Sequence, residues 1–144
     1  MRTIRRKGAS TMPKILFVED DEASRGAFVK FLTVHGHQVT PAGDGEQAIA
    51  LAAKESFDII FMDIKMPKLD GLTACRQIRT ACPSAKVVLI TGYHMDDQLH
   101  RVADDGAVEW LRKPLTHHVL VDVMRRVLPG SMPDLQTPPP AGPR

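Results

Sequence analysis

The sequence has little that would support a disulfide framework, a metal-thiolate site or a membrane span. Only two cysteines occur in 144 residues, Cys75 and Cys82, and neither belongs to a Cys-x-x-Cys pair. No uninterrupted apolar stretch is long enough to cross a bilayer. The basic segment before Lys14 lacks the apolar centre of a secretory signal. These absences predict a protein with reduced thiols in the cytoplasm.

The chain also lacks a large excess of charge of either sign. Its formal net charge is +2, which is too small to argue for nucleic-acid binding. Much of the excess lies in residues 1–13, for which we expect a flexible basic extension rather than a nucleic-acid or membrane contact. Met12 could equally be the natural start. With 43% hydrophobic and 25% charged residues, the chain has the composition of one soluble globular domain.

Short apolar runs alternate with helical patterns five times between Lys14 and Leu128. The strand candidates span residues 14–18, 37–40, 58–62, 86–90 and 108–111, and the helix candidates span residues 22–35, 45–55, 71–80, 95–104 and 116–128. Strict alternation predicts an α/β fold, a doubly wound five-stranded parallel sheet with helices on both faces. The third and fourth runs are almost continuously apolar, as central strands are, whereas the more polar second run is expected at an edge.

The composition changes after Leu128, where prolines become frequent. Proline can neither continue a helix nor donate to a sheet, so we expect residues 129–144 to form a disordered tail. A linker to a further domain and a ligand for a proline-binding domain are the alternatives.

Polar side chains stand at the ends of four of the five predicted strands. Glu19 and Asp20, which we call the acidic pair, follow the first strand. Asp63, Thr91 and Lys113 follow the third, fourth and fifth. Because ligands of open α/β sheets bind beyond the carboxyl ends of the strands, we expect these side chains to converge.

This combination of residue types fits phosphoryl chemistry assisted by a divalent metal. Mg²⁺ prefers oxygen ligands, which Asp63 and the acidic pair could supply. An aspartate carboxylate can attack phosphorus and form an aspartyl phosphate. Lys113 offers a compact cation, Thr91 a hydroxyl donor and Gly92 an unobstructed amide for the phosphoryl oxygens.

Four segments together resemble the receiver domain of response regulators in two-component signalling. They are Glu19-Asp20-Asp21, the run from Asp63 to Gly71, Thr91-Gly92 and Lys113-Pro114. Any single piece would be weak, but their order, spacing and strand-end placement agree. The resemblance covers residues 14–128 and implies the flavodoxin-like (βα)5 receiver fold.

The resemblance also implies a role for each site residue. Asp63 would be the phosphoacceptor. The acidic pair, Asp63 and the backbone carbonyl of Lys65 would hold Mg²⁺. Thr91 and Lys113 would contact the phosphoryl group together with the Gly92 amide. Thr91 and Trp110 would be the switch residues.

The function implied is a signalling switch. A histidine kinase or a histidine-containing phosphotransfer protein would phosphorylate Asp63. The face made by the fourth helix, fifth strand and fifth helix would then change for an output partner that the sequence does not identify. We expect no enzyme activity beyond self-phosphorylation and autodephosphorylation, and no direct DNA or membrane binding. The chain could be a single-domain regulator, a phosphorelay intermediate or a piece of a longer protein.

Two other functions remain open on the same scaffold. A phosphatase with an aspartyl intermediate would need a second acid two residues beyond the nucleophile, where this chain has Lys65. A constitutive interaction domain would keep the fold without the switch, although the presence of every site residue argues against it. Single residues also have ordinary structural explanations: Asp63 as a turn residue, Trp110 as core and Lys113 as a partner of Asp63 without metal.

Overall fold

A computed structural model describes residues 12–92, 107 and 109–128. In that part of the chain, five parallel strands form one sheet in the order β2-β1-β3-β4-β5. The strands are β1 (Lys14–Val18), β2 (Gln38–Ala42), β3 (Ile59–Asp63), β4 (Val87–Thr91) and β5 (Glu109–Arg112). The helices are α1 (Glu22–Val34), α2 (Gly45–Lys54), α3 (Gly71–Ala81) and α4 (His117–Val127).

In the described residues the predicted alternation of strands and helices is confirmed, with boundaries that differ by at most two residues. The helix α4 corresponds to the fifth helix candidate. The fourth candidate, residues 95–104, lies outside the described residues, as do residues 1–11 and the tail, residues 129–144. Pro13, which the prediction placed in the extension, is buried. No helix in the described ranges is long and apolar enough to cross a membrane.

The second strand shows the largest boundary difference. The pattern predicted residues 37–40, but β2 begins at Gln38 and continues through Pro41, which pairs with Phe17 of β1. Proline has no N–H to donate to a neighbouring strand. It is accommodated here because β2 lies at an edge of the sheet, as predicted, and pairs only with β1.

The core consists of two layers, one on each face of the sheet. Alternate residues of β1 show this most simply, since Leu16 packs beneath α2 and α3 whereas Phe17 packs beneath α1 and α4. The first layer includes Ile60, Met62, Ala74, Cys75 and Ile78, and the second includes Phe61, Ile90, Leu32, Leu120 and Met124. Burial on both faces explains the continuous apolar runs and confirms the doubly wound sheet.

Each described helix begins at a side-chain cap. Asp21, Asp44, Asp70 and Thr116 accept hydrogen bonds from the amides three residues ahead, those of Ser24, Gln47, Thr73 and Val119. These bonds satisfy amides that have no partner within the helix. They also fix where each helix leaves its strand, and therefore the path of each strand-to-helix loop.

Gly71, the first residue of α3, packs directly against the backbone at the end of β3. A Cβ at this position would overlap the carbonyl oxygen of Asp63 and lie 2.8 Å from the Cα of Ile64. The Gly71 amide donates to the Ile64 carbonyl oxygen at 2.7 Å. Because the crowded atoms are backbone, they cannot rotate away. In contrast, Gly26 of α1 has nothing within 4 Å of the equivalent position.

We therefore expect Gly71→Ala to lower the free energy of unfolding by about 2–4 kcal/mol, because the added methyl must push α3 away from β3. The matched control, Gly26→Ala, should leave the free energy unchanged or raise it by up to about 1 kcal/mol, since alanine favours the helix. Urea unfolding followed by circular dichroism measures both. Equal effects of the two substitutions would contradict the close packing of Gly71.

Candidate functional site

Three carboxylates meet at the carboxyl edge of the sheet, where the neighbouring strands β1 and β3 end. Asp63 is the last residue of β3, and Glu19 and Asp20 directly follow β1. One carboxylate oxygen of each residue lies within 4.8 Å of one oxygen of each of the others. Asp63 and Glu19 are buried, with 2% and 5% of their surfaces exposed, whereas Asp20 is exposed. The cluster therefore extends from the protein interior to solvent.

Lys113 provides the cation that faces this cluster. Its Nζ donates to Oδ2 of Asp63 at 2.8 Å and lies 3.8 Å from Oε1 of Glu19. The other Asp63 oxygen, Oδ1, accepts from the backbone amide of Lys65 at 3.2 Å. Both oxygens of the buried Asp63 carboxylate thus have partners, which offsets the cost of removing its charge from water.

The environment of Glu19 favours its neutral form. Burial removes water from its carboxyl group, and the negative charges of Asp63 and Asp20 oppose ionisation. The Asp21 amide, which donates to Oε2 at 3.1 Å, and the Lys113 charge act in the opposite direction. The net effect raises the pKa of Glu19 from 4.5 to about 7. Glu19 thus titrates near neutral pH.

Lys113 is held in its charged form. Its partial burial disfavours the ammonium, but the hydrogen bond and negative charge of Asp63 outweigh that cost, with smaller contributions from Glu19 and Asp20. The pKa of Lys113 is therefore raised above its usual value. Its side chain is 39% exposed, so the ammonium contacts solvent as well as the carboxylates.

Thr91 ends the strand next to β3, but its hydroxyl group already has a hydrogen-bond partner. It is the last residue of β4 and is fully buried. Its Oγ1 donates to the carbonyl oxygen of Gly92 at 2.8 Å, and its own carbonyl accepts from the Lys113 amide at 2.7 Å. The hydroxyl must leave the Gly92 carbonyl before it can donate to a group bound at Asp63.

The side chains of Trp110 and Lys65 are exposed to solvent. Trp110 lies in β5, is 38% exposed, and has the Arg112 guanidinium 5.7 Å from its ring centroid. The Lys65 side chain is exposed. The predicted roles of Trp110 as a switch and of the Lys65 carbonyl as a metal ligand stay predictions.

The three carboxylates fit a hard divalent cation. All three donors are oxygens, and they lie within the 4.8 Å spacing that permits shared coordination. A cation would also offset the negative charges of Asp63 and Asp20, which add to the effect of burial in raising the pKa of Glu19. Among residues 12–92, 107 and 109–128, this is the only group of three or more His, Cys, Asp or Glu residues close enough to hold a metal.

Sequence reasoning missed two residues that shape the site. Gly71 packs against the Asp63 backbone. It ends the motif that runs from Asp63 to Gly71, but the Asp-Gly dipeptide indicates a turn and not this close approach. Arg25 donates through Nη1 to the Glu19 carbonyl oxygen at 2.8 Å, and no motif marks it.

The structure also contains a cis peptide bond between Lys113 and Pro114, and Lys68 adopts a φ of 69°.

A doubly wound parallel sheet, with a lysine facing three carboxylates at its carboxyl edge, defines the receiver class of signalling proteins. The comparison with known families agrees. The model of the response regulator receiver domain matches residues 15–125. The chain belongs to this family.

Similar proteins include response regulators that are longer than this chain. The response regulator MprA of Mycolicibacterium vanbaalenii is 37% identical over 123 residues, which cover 84% of this chain and 52% of MprA. The response regulator protein FleR of Pseudomonas aeruginosa is 34% identical over 120 residues, which cover 83% of this chain and 25% of FleR. This chain therefore spans about half of one relative and a quarter of the other.

Solved structures show the same fold. The response regulator TrrA of Thermotoga maritima, crystallised in complex with Mg²⁺ and BeF, superposes with a TM-score of 0.72 at 27% identity. The match covers 81% of this chain and 100% of TrrA.

The raised pKa of Glu19 predicts a pH dependence of stability without metal. Between pH 4.5 and 7 the folded protein holds a proton on Glu19 that the unfolded chain releases, so this group's contribution to stability is lost as pH rises. Relative to Glu19→Gln, the wild type should lose about 1–3 kcal/mol of unfolding free energy across that range. Urea unfolding in the presence of a chelator measures the difference.

The comparison with Glu19→Gln is needed because the contribution of His37 to stability changes with pH in the opposite direction. Burial, with a smaller effect of His35, lowers the pKa of His37 from 6.5 to about 4, so its contribution is present above pH 6.5 and is lost as pH falls toward 4. Both proteins share His37, which cancels in the difference. A difference that stays constant with pH would show that Glu19 has an ordinary pKa.

Proposed function

We propose that this chain is a phosphoacceptor switch, in which Asp63 receives a phosphoryl group from a histidine kinase or a histidine-containing phosphotransfer protein. One observation carries the proposal: a buried Asp63 carboxylate has the Lys113 ammonium 2.8 Å from one oxygen and the acidic pair within 4.8 Å. Membership of the receiver family and the exposed outer part of the cluster, at Asp20, support it.

The step requires one bond to form and one to break. A carboxylate oxygen of Asp63 attacks phosphorus while the bond from phosphorus to the donor's histidine nitrogen, or to an oxygen of acetyl phosphate, breaks. The leaving group takes the electron pair. Lys113 then exchanges its bond to Oδ2 for a phosphoryl oxygen, which keeps the ammonium paired. The Thr91 hydroxyl and the Gly92 amide supply further donors, once Thr91 releases the Gly92 carbonyl.

Glu19, Asp20, Asp63 and the backbone carbonyl of Lys65 would hold Mg²⁺. When bound, Mg²⁺ supplies positive charge that screens the carboxylates from an anionic phosphodonor. The complex of the related TrrA with Mg²⁺ and BeF supports this assignment. The acidic pair therefore serves to hold the cation, and Asp63 alone is the nucleophile.

We place the responsive surface on β5 and α4, together with the predicted fourth helix, residues 95–104, which lies outside the described residues. Arg126 joins α4 to β5, since it donates to Glu109 of β5 at 2.8 Å through Nε. It also donates to Asp122 of its own helix at 3.3 Å. Trp110 lies on β5, three residues before Lys113, so a change at Lys113 is transmitted along a short stretch of backbone. An output partner would bind this surface in one state of Asp63.

The proposal extends to the remaining features of the chain. Residues 14–128 form the receiver domain, flanked by a basic extension, residues 1–13, and a proline-rich tail, residues 129–144. The protein acts in the cytoplasm, does not bind DNA through these residues, and catalyses no reaction beyond its own phosphorylation and autodephosphorylation.

Incubation with Mg²⁺ and acetyl phosphate should add one phosphoryl group to the wild type and none to Asp63→Asn, because an amide is a poor nucleophile. Intact-mass spectrometry measures the addition, which mild alkali should reverse. Asp58→Asn is the matched control, since Asp58 is exposed and its side chain accepts from the Lys14 amide at 2.7 Å. It should be phosphorylated like the wild type.

Phosphorylation that persists in Asp63→Asn would refute Asp63 as the acceptor. Sustained turnover of phosphate esters by the wild type would instead favour the phosphatase alternative.

Affinity capture of partners from a lysate, with Mg²⁺ and with or without beryllofluoride, tests the switch. We expect at least one protein to be enriched severalfold in one condition, and the enrichment to vanish in Asp63→Asn, because beryllofluoride mimics a phosphoryl group on the carboxylate. Asp58→Asn again serves as the control. Equal capture under both conditions would support a constitutive interaction domain.

A further inference from the structure

Arg25 lies in the first turns of α1, outside the set of predicted site residues, yet its side chain reaches the loop that carries the acidic pair. The guanidinium is half-buried, and its Nη1 donates to the backbone carbonyl oxygen of Glu19 at 2.8 Å. A charged donor makes a stronger bond to a carbonyl than a neutral one. The contact therefore restrains the peptide between Glu19 and Asp20.

The Glu19 backbone is held from both sides. Its amide donates to the carbonyl oxygen of Ala42, the last residue of β2, at 3.1 Å, and its carbonyl accepts from Arg25. On the side chain, Oε2 accepts from the Asp21 amide at 3.1 Å, while Oε1 lies on the side of Lys113. With both ends of the residue fixed, the carboxylate has a defined direction.

The same guanidinium lies beside the loop between β2 and α2. Its Nη1 lies 3.5 Å from the point where a Cβ would stand on Gly43. The Gly43 amide donates to Oε1 of Gln47 at 2.6 Å, which fixes that loop against the start of α2. Arg25 thus lies between two loops that follow adjacent strands, β1 and β2.

We propose that Arg25 is a positioning residue for the metal site. By binding the Glu19 carbonyl between the two loops, it orients the acidic pair for Mg²⁺ without itself contacting the ion. The inference rests on the part of the proposed function in which the acidic pair binds Mg²⁺. It adds a residue that neither the sequence motif nor the carboxylate cluster includes.

The proposal is testable, because a purely electrostatic role and a positioning role of Arg25 predict opposite effects of its removal on Mg²⁺ affinity. Arg25 carries a positive charge near the acidic pair, so as a charge alone it would repel a divalent cation. Removing it would then tighten Mg²⁺ binding slightly, and less so at high salt. If Arg25 orients Glu19, removing it weakens binding, because a residue supporting a metal ligand typically contributes roughly tenfold or more in affinity.

Calorimetric titration of the full chain with Mg²⁺ distinguishes the two. Arg25→Met keeps the aliphatic stem but no donor, and should raise the Mg²⁺ dissociation constant roughly tenfold. Arg25→Lys keeps a charge and a donor, and should restore part of the affinity. Lys30→Met, which removes an exposed cation from the same helix, is the control and should leave the constant unchanged or slightly lower. Thermal unfolding confirms that each variant is folded at the titration temperature.

Affinity that is unchanged or tighter in Arg25→Met, with wild-type binding intact, would overturn the role of Arg25 and leave the proposed function standing. A wild type that binds no Mg²⁺ would overturn both. If Arg25→Met does not fold, Arg25→Ala decides, since alanine removes the donor and favours the helix: a dissociation constant equal to that of the wild type overturns the proposal, and a severalfold increase supports it.

Discussion

The ion pair between Lys113 and Asp63 is the interaction on which the site depends. A carboxylate as buried as Asp63, with 2% of its surface exposed, is stable in its charged form only beside a compensating charge. One ammonium cannot neutralise three carboxylates. At Glu19, burial together with the negative charges of Asp63 and Asp20 raises the pKa to about 7. The site is thus built with an excess of negative charge that a divalent cation would remove.

The fold makes this concentration of charge possible. The strand order places the end of β1 beside the end of β3, and the parallel direction brings the polar residues that end or follow β1, β3, β4 and β5 to the same edge. Helices on both faces keep the strands dry, so the carboxylates gather where the apolar core stops. Gly71 allows α3 to start against the Asp63 backbone, and the capping residues determine where each loop ends and its helix begins. Stability and site geometry therefore share the same few contacts.

The partners of Asp63 connect the central strand to the edge of the sheet. Lys113 follows β5, its amide is bonded to the Thr91 carbonyl, and its ammonium is bonded to Asp63. Under the proposed function, a phosphoryl group on Asp63 would compete for the same ammonium. The end of β5 would then adjust together with Trp110 and the ion pair between Glu109 and Arg126. Under that proposal, a local change of charge would in this way be coupled to a surface that a partner could bind.

Much of this arrangement was predictable from the sequence, because it depends on local spacing. Apolar runs of about five residues identified the strands, and the polar residues directly after them, Glu19, Asp63 and Lys113, identified the edge where a site belongs. Strand β2 was placed at an edge correctly, but its end was missed, since proline ends a strand in general and is tolerated only where the N–H faces no neighbour.

What the sequence by itself determined is the order of elements, the two-faced burial and the identity of the clustered acids and lysine. Only the tertiary structure decided that Arg25 reaches the Glu19 carbonyl, that Gly71 leaves room for the Asp63 backbone, and that the Thr91 hydroxyl is bonded to Gly92. The reason is physical: periodicity is a property of neighbours along the chain. Distances between loops that follow different strands are set by how the helices pack on the sheet.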